Sequence, residues 1–186
     1  MVEVATRTLP LSGFHGGSAT VRLEPAAPAQ RINLRGRAED VAALSAALGV
    51  DLPVKPKTSA SANGRTALWI GPDEWLVIAD GGSEIGSGLV EAAARSSALH
   101  SATDVSHRNT AILVSGPGAA AAINAGCPQD LSLKTFPVGA CSRTVFGKVE
   151  IVLLRTAEDA FRVEVWRSFS DYAFGLLAEG ARDAAL

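Results

Sequence analysis

Cysteine and histidine are scarce: the 186-residue chain has two cysteines, Cys127 and Cys141, and three histidines, His15, His100 and His107. No spacing among them supplies the three or four ligands of a zinc site, and two cysteines make no disulfide framework. In a chain with ample core they read as reduced, buried small hydrophobes. Charge is sparse too. Seventeen basic residues face 19 acidic ones, a net charge of −2, which provides no field for a polyanion or an anionic membrane and argues against bulk nucleic-acid binding. The first residues lack a basic stretch followed by a sustained apolar run, so no secretory signal is read there and a cytoplasmic chain is expected. Residues 109–129 carry no charge and are numerous enough to cross a bilayer. Ser115-Gly116-Pro117-Gly118 interrupts them, and a strand entering a short Ala-rich helix is expected instead.

Aliphatic residues are what the chain has. Apolar residues are 47% of the total and aromatics only 5%, which predicts a core of Ala, Val, Ile and Leu in one compact domain. Residues 1–30, with Gly13, Gly16, Gly17, Pro25 and Pro28, show no sustained period and read as a loop-rich arm with one extended piece at 20–23. Residues 31–35 alternate as a half-buried strand does, up to Gly36. Glu39 and Asp40 suit a helix N-terminus, and Val41, Leu44 and Leu48 share a face before Gly49. A loop at 50–63 leads to apolar runs at 66–70 and 75–79, joined as a hairpin by Gly71-Pro72-Asp73-Glu74. A helix at 85–95 with Ile85, Leu89 and Ala93 on one face, then an extended stretch at 99–108, completes this half.

The same order then starts again. A strand at 110–115, a helix at 118–125, a loop with Asp130-Leu131, strands at 142–154 and 161–166 and a final helix capped by Ser168 repeat it, the last carrying Phe169, Tyr172, Leu176 and Leu177 on its apolar side. Gly36 and Gly116, Asp51-Leu52 and Asp130-Leu131, Arg65-Thr66 and Arg143-Thr144, and the tips Asp73 and Asp159 are paired landmarks 78 to 86 residues apart. The prediction is a duplicated, pseudo-twofold α/β fold of the α+β type, mostly antiparallel sheet with about four helices. Its body spans residues 31–183, in halves 31–108 and 109–183, behind the arm of residues 1–30.

Candidate sites are few. Asp104-Val105-Ser106-His107 holds the residue types of a hydrolase triad, but strand alternation points Ser106 and His107 to opposite faces, so a structural role is expected. The Gly-rich segment 81–88 follows a strand and opens a helix, yet matches no nucleotide-binding fingerprint. Arg31, Asn33, Arg35 and Arg37 form a basic stripe on one face of the first strand, a solvated surface or a site for an acidic partner. Trp69, Trp75 and Trp166 are large side chains among small aliphatics, and core packing is expected for at least two of them.

Six ordered motifs carry a resemblance: Asn33-Leu34-Arg35-Gly36, the segment from Leu68 to Leu76 around Gly71-Pro72-Asp73-Glu74-Trp75, Asp104-Val105-Ser106-His107-Arg108, Gly126-Cys127-Pro128-Gln129-Asp130-Leu131, Phe136-Pro137-Val138-Gly139 and Arg167-Ser168-Phe169-Ser170-Asp171-Tyr172. Across roughly residues 31–182 the chain resembles the gamma subunits of heterotetrameric sarcosine oxidases. That family is similar in turn to the folate-binding aminomethyltransferase T-protein, whose duplicated fold the resemblance implies. Where the T-protein hairpin carries paired aspartates, this chain has Gly147-Lys148-Val149-Glu150. The resemblance implies an accessory subunit without catalytic, cofactor or metal site of its own, bound to the larger and smaller subunits of a complex whose FAD, FMN, NAD and tetrahydrofolate sit on its partners. Arg31, Arg35, Arg37, Asp73, Trp75, Arg167, Phe169 and Tyr172 are the candidate interface residues. Two other readings stand beside it: a free folate binder or aminomethyltransferase, and a small hydrolase using Ser106 and His107.

Overall fold

The computed structural model describes residues 9–80 and 88–185. Two short strands, β1 (Gly16–Gly17) and β2 (Arg22–Pro25), precede β3 (Ala29–Gly36) and helix α1 (Val41–Leu48). A meander of β4 (Ser59–Ala62), β5 (Arg65–Gly71) and β6 (Glu74–Asp80) follows, then α2 (Gly88–Ala94) and β7 (His100–Asp104). The second half runs through β8 (Asn109–Ser115), α3 (Ala119–Asn124), the meander β9 (Cys141–Phe146), β10 (Val149–Ala157) and β11 (Ala160–Trp166), and α4 (Ser170–Asp183). Residues 109–129 are thus a strand and a short helix, and no described helix is long and apolar enough to cross a membrane. The predicted Ile85 end of α2 and most of the Gly-rich segment lie outside the described residues.

The strands form two antiparallel sheets, ordered β4-β5-β6-β3-β7 and β9-β10-β11-β8-β2-β1. Strand for strand the first five places correspond. The Gly36 N–H donates to the Asp73 carbonyl at 3.1 Å, and the Gly116 N–H donates to that of Asp159 at 2.9 Å, so the two hairpin tips occupy equivalent positions. The Arg65 and Arg143 landmarks do not correspond, because Arg65 opens β5, the middle strand of its meander, whereas Arg143 lies in β9, the first of the other. That mismatch arises from β4, an edge strand of small and polar residues inside the predicted loop at 50–63, held by pairing with β5 rather than by any apolar pattern of its own. Residues 16–25, read as part of the arm, add two strands to the second sheet, where Val21 and Leu23 are buried with Leu11.

Alternation along the strands sorts the core into three layers. Ile32, Leu34, Trp75 and Val77 face α1 and α2; Ile112, Val114, Ile151, Leu153, Phe161 and Val163 face α3 and α4; Leu68, Ile70, Leu76, Ile78, Val152 and Leu154 meet between the sheets. α1 ends where Gly49 turns left-handed at φ 62°, as a helix C-terminus commonly does. Both cysteines are buried and unpaired. Burial pushes the Cys141 thiol up to about 12, so it stays protonated against the Thr58 and Trp69 carbonyls.

The last helix differs from its expectation. A 3₁₀ turn occupies Arg167–Phe169, α4 begins at Ser170 without a side-chain cap, and Ser168 caps nothing; the Ser170 hydroxyl donates to the Arg167 carbonyl at 2.8 Å. Its buried face is Ala173, Phe174, Leu177, Gly180 and Ala181, which leaves Phe169 and Tyr172 exposed. Small residues on that face bring α4 close to α3, and a Cβ added at Gly180 would collide with the Ala122 carbonyl oxygen. Gly180→Ala should therefore destabilise the protein. The gain in helix propensity is about 1 kcal/mol, whereas overpacking against backbone costs about 1–3 kcal/mol. Urea unfolding that shows Gly180→Ala equal to or more stable than the parent would refute this close packing.

Candidate functional site

The basic stripe of β3 is turned toward the second sheet. Ile32 and Leu34 face the helices, so Arg31, Asn33 and Arg35 face across the gap between the sheets. Arg31 is only 2% exposed, which removes it from the surface candidates. Its Nε and Nη2 donate to Glu164 of β11 at 2.7 and 3.1 Å, and its Nη1 donates to the Ala29 carbonyl at 3.0 Å. Arg162 donates its Nε to the same carboxylate at 2.7 Å and its Nη1 to Asp80 at 3.2 Å. Four charged groups thereby neutralise one another between the sheets.

A second cluster lies further along the seam. Glu74 is buried and accepts from Asn33 at 2.7 Å, Arg35 at 3.1 Å and Arg143 at 2.9 and 3.3 Å. Burial alone would raise its pKa, but the hydrogen bonds from Asn33 and Arg143 and the charges of Arg143 and Arg35 outweigh it and hold the carboxyl below its ordinary range. Arg35 also reaches the exposed Asp73 at 3.5 Å, and Arg37, beyond the strand, pairs with Glu39 and Asp40 at 3.1 and 2.9 Å.

The triad residues serve the same seam. β7 stops at Asp104 rather than continuing to residue 108, and Ser106 begins a turn. The buried Ser106 hydroxyl accepts from the Arg31 backbone N–H at 2.9 Å and donates to the Arg31 carbonyl at 3.3 Å, while Asp104 accepts from the Ser106 N–H at 2.8 Å. His107 is exposed on the turn. A hydroxyl committed to backbone on both counts, and itself buried, is a splice between β3 and β7 and not a nucleophile.

Trp75 does not reach the surface either. It is 1% exposed in the core beneath α1 and α2, with its Nε1 donating to the Pro53 carbonyl at 2.7 Å, and has no surface to offer a partner. The exposed tryptophan is Trp166, at 39%, with Phe169 stacked on it at 5.9 Å and the Arg108 guanidinium 5.0 Å above its ring. Arg167 follows Trp166 in the chain, and Tyr172, one helical turn beyond Phe169, is 42% exposed with its hydroxyl accepting from the Lys148 N–H at 3.3 Å. A crevice of about 30 Å³ between Asn33, Arg108, Arg143 and Trp166 joins the aromatic group to the Glu74 cluster. Arg35, Arg143, Arg108, Trp166 and Phe169 thus form one continuous, aromatic and arginine-rich surface. Strand alternation with Arg162 and Glu164 places Trp166 off the helix-facing side of β11, the one sequence signal that distinguished it from Trp75.

Residues 35–183 match the model of the sarcosine oxidase, gamma subunit family. The chain belongs to that family. It is 30% identical over 171 residues to sarcosine oxidase subunit gamma of Corynebacterium sp. (strain P-1), covering 90% of this chain and 83% of that one. With the corresponding Arthrobacter protein the identity is 36% over 123 residues, 66% of this chain and 60% of the other. A chain of the heterotetrameric sarcosine oxidase from Corynebacterium sp. U-96 superposes with a TM-score of 0.81 at 27% identity, covering 92% of this chain and 89% of that one. Aminomethyltransferase T of the glycine cleavage system from Bartonella henselae shares the fold, with a TM-score of 0.62 at 18% identity over 89% of this chain and 50% of its own. The α+β duplication is therefore common to the gamma-subunit family and the T-protein. The matched stretch of the gamma-subunit family takes in both meanders and the whole aromatic surface, and begins just after Arg31.

Two outcomes check the seam. Ser106→Ala leaves the buried Arg31 N–H without an acceptor and should cost about 1–3 kcal/mol in urea unfolding, whereas His107→Ala should stay within about 0.5 kcal/mol; the reverse order would return Ser106 and His107 to consideration as a functional pair. Because the Glu74 pKa is lowered on folding, the unfolded chain binds more protons near that pKa, and the stability this group contributes is complete above the unfolded carboxylate value and lost as pH falls through the folded one. Below about pH 5 the parent should lose stability more steeply than Glu74→Gln, and parallel curves would contradict the paired carboxylate.

Proposed function

We propose that this chain is the accessory gamma subunit of a heterotetrameric sarcosine oxidase, supplying docking surface rather than chemistry. The complex would demethylate sarcosine oxidatively to glycine, with peroxide and either formaldehyde or methylene-tetrahydrofolate as further products. FAD, FMN, NAD and tetrahydrofolate would be held by the partner subunits. The observation that carries this reading is the superposition on a chain of the Corynebacterium sp. U-96 heterotetramer along nearly the full length of both.

The side chains that looked chemical support it. Ser106, Asp104, Arg31 and Glu164 are consumed by the contact between the sheets, and the groups left outside are those that interfaces favour. Exposed Trp, Tyr and Arg combine large contact area with few rotatable bonds, and a few of them dominate most protein–protein contacts. The assembly surface in this reading comprises Arg35, Asp73, Arg167, Phe169 and Tyr172, joined by Arg108, Arg143 and Trp166, with Arg37 at its edge.

Co-expression with the other subunits and pull-down through one of them tests the assignment. Trp166→Ala or Phe169→Ala should weaken recovery of the complex about tenfold or more, as loss of an interface anchor does. The melting temperature of the isolated variant should fall by no more than about 4 °C, since only half-exposed rings are removed. Peroxide release from sarcosine by the isolated chain, or flavin absorption by it, would overturn the accessory reading.

A further inference from the structure

We propose that the crevice where the two halves meet, between residues 55–59 and the loop 134–140, binds a small organic phosphate through Lys55, Lys57 and Lys134. The crevice holds about 470 Å³, within the range of ligand pockets. Lys55 and Lys57 line it from the first half and Lys134 from the second. These are three of only four lysines in a chain that otherwise carries its positive charge on arginine.

Backbone pairing makes the two sides of the crevice equivalent. The Ser59 N–H donates to the Gly139 carbonyl at 3.0 Å and the Cys141 N–H donates to that of Lys57 at 3.1 Å, on either side of an antiparallel bridge between Thr58 and Ala140. Lys57 and Gly139 therefore occupy matching places, and both are left-handed, at φ 62° and 83°. Glycine adopts that conformation freely, whereas a residue with a Cβ does so at a steric cost. The second half meets the demand with glycine; the first keeps a lysine. Packing does not account for it, since Lys57 is exposed and its side chain forms no hydrogen bond or ion pair among the described residues. Backbone strain borne by a side chain with no duty in the fold points to a duty outside it.

Charge selects the ligand class. No carboxylate lines the crevice, and among the described residues none of the three lysines is in an ion pair. Asp130, on the same loop as Lys134, is engaged by the Ser132 N–H and hydroxyl at 2.9 and 3.2 Å and by Thr135. Beneath that loop the buried Arg155 donates to the Leu131 and Phe136 carbonyls, both at 2.9 Å, and adds positive potential from behind, with Glu158 and Asp159 of the hairpin tip acting on it only through their charge. The chain as a whole carries −2, so the attraction is confined to this place. Ammonium groups are compact point charges on flexible stems and suit the several oxygens of a phosphate, while a planar carboxylate is better matched by the arginine fork. The Lys57 backbone N–H, which donates to nothing among the described residues, adds a donor in a turn of the kind that holds anions.

The test uses the purified, isotope-labelled chain at low ionic strength, titrated with glycerol phosphate, with pyrophosphate and with a tetra-aspartate peptide. Both phosphates should produce saturable chemical-shift changes at the Lys57, Thr58 and Lys134 amides and none around Trp166, with the peptide at least about fivefold weaker. Lys134→Gln should weaken binding about fivefold or more, and Lys148→Gln, at the lysine outside the crevice, should leave it unchanged. Lys57→Gly separates ligand binding from folding: it should weaken binding as Lys134→Gln does while melting at or above the temperature of the parent, because the strain is relieved. No saturable change with either phosphate, equal weakening by Lys148→Gln, or a Lys57→Gly variant that melts lower and binds like the parent would each overturn the proposal, and a peptide binding as tightly as pyrophosphate would assign the crevice to an acidic protein segment instead. The readout is a property of this chain alone, independent of whether the heterotetramer assembles.

Discussion

The contact between Arg31 and Glu164 is the constraint around which the two sheets are arranged. Both side chains are almost fully buried, with side-chain exposures of 3% and 1%, and the bidentate geometry fixes one guanidinium plane against one carboxylate. A buried pair of this kind adds little net stability over a well-packed apolar pair, because desolvation offsets most of the attraction, yet breaking it leaves an isolated buried charge at a cost of about 3–5 kcal/mol. Its consequence is therefore positional. A one-residue slip of β3 or β11 within its own sheet would turn that strand's side chains to the opposite face and leave the charges unpaired. Ser106 holds the Arg31 backbone and Arg162 shares the Glu164 carboxylate, so β7 and β11 are tied to the same point.

The duplication becomes intelligible from that contact. Counting from the equivalent tips, Leu76 and Ile78 of β6 occupy the places of Arg162 and Glu164 of β11. Along the neighbouring strands, Arg31 and Asn33 stand where the second half has Ala111 and Leu113, since Arg31 pairs with Ile78 and Ala111 with Glu164. Polarity is thus exchanged between the strands of the two halves. Two copies with identical inner faces would have opposed like charges across the gap; copies with exchanged faces bring arginine to glutamate. The backbone repeats while the surfaces between the sheets complement one another.

Much of this was legible. The Gly36 and Gly116 turns, the hairpin tips, α1 with its glycine stop, and the alternation of β3 all follow from local chemistry that tertiary packing does not override. What failed shares one cause: each depends on a neighbour distant in sequence. β4 has no apolar period because its pairing with β5 holds it; of residues 16–25 only the extended piece at 20–23 is legible, because β8, some 90 positions later, supplies the partner of β2. The apolar face of α4 holds at Leu176 and Leu177 and fails at Phe169 and Tyr172, because Gly180 and Ala181, weak hydrophobes by themselves, set the helix's approach to α3. Residue type alone leaves Arg31 and Trp75 open to a surface role, and only the second sheet in one case and the layer beneath α1 and α2 in the other make them interior. The same blindness hid Trp166 and Arg108.

The seam restricts what the chain can do. A side chain that fixes the register of a buried seam cannot also change its bonding during a reaction without loosening the fold, so the Asp, Ser, Arg and Glu that resemble catalytic parts are unsuited to that work. Arginine and aromatic groups free of such duty lie around Trp166, with Phe169 stacked on its ring and the Arg108 guanidinium over it. That surface is broad and exposed, the form that suits another protein. It borders the same seam, since Glu164 lines the crevice beside Trp166 while its carboxylate is held by Arg31 and Arg162.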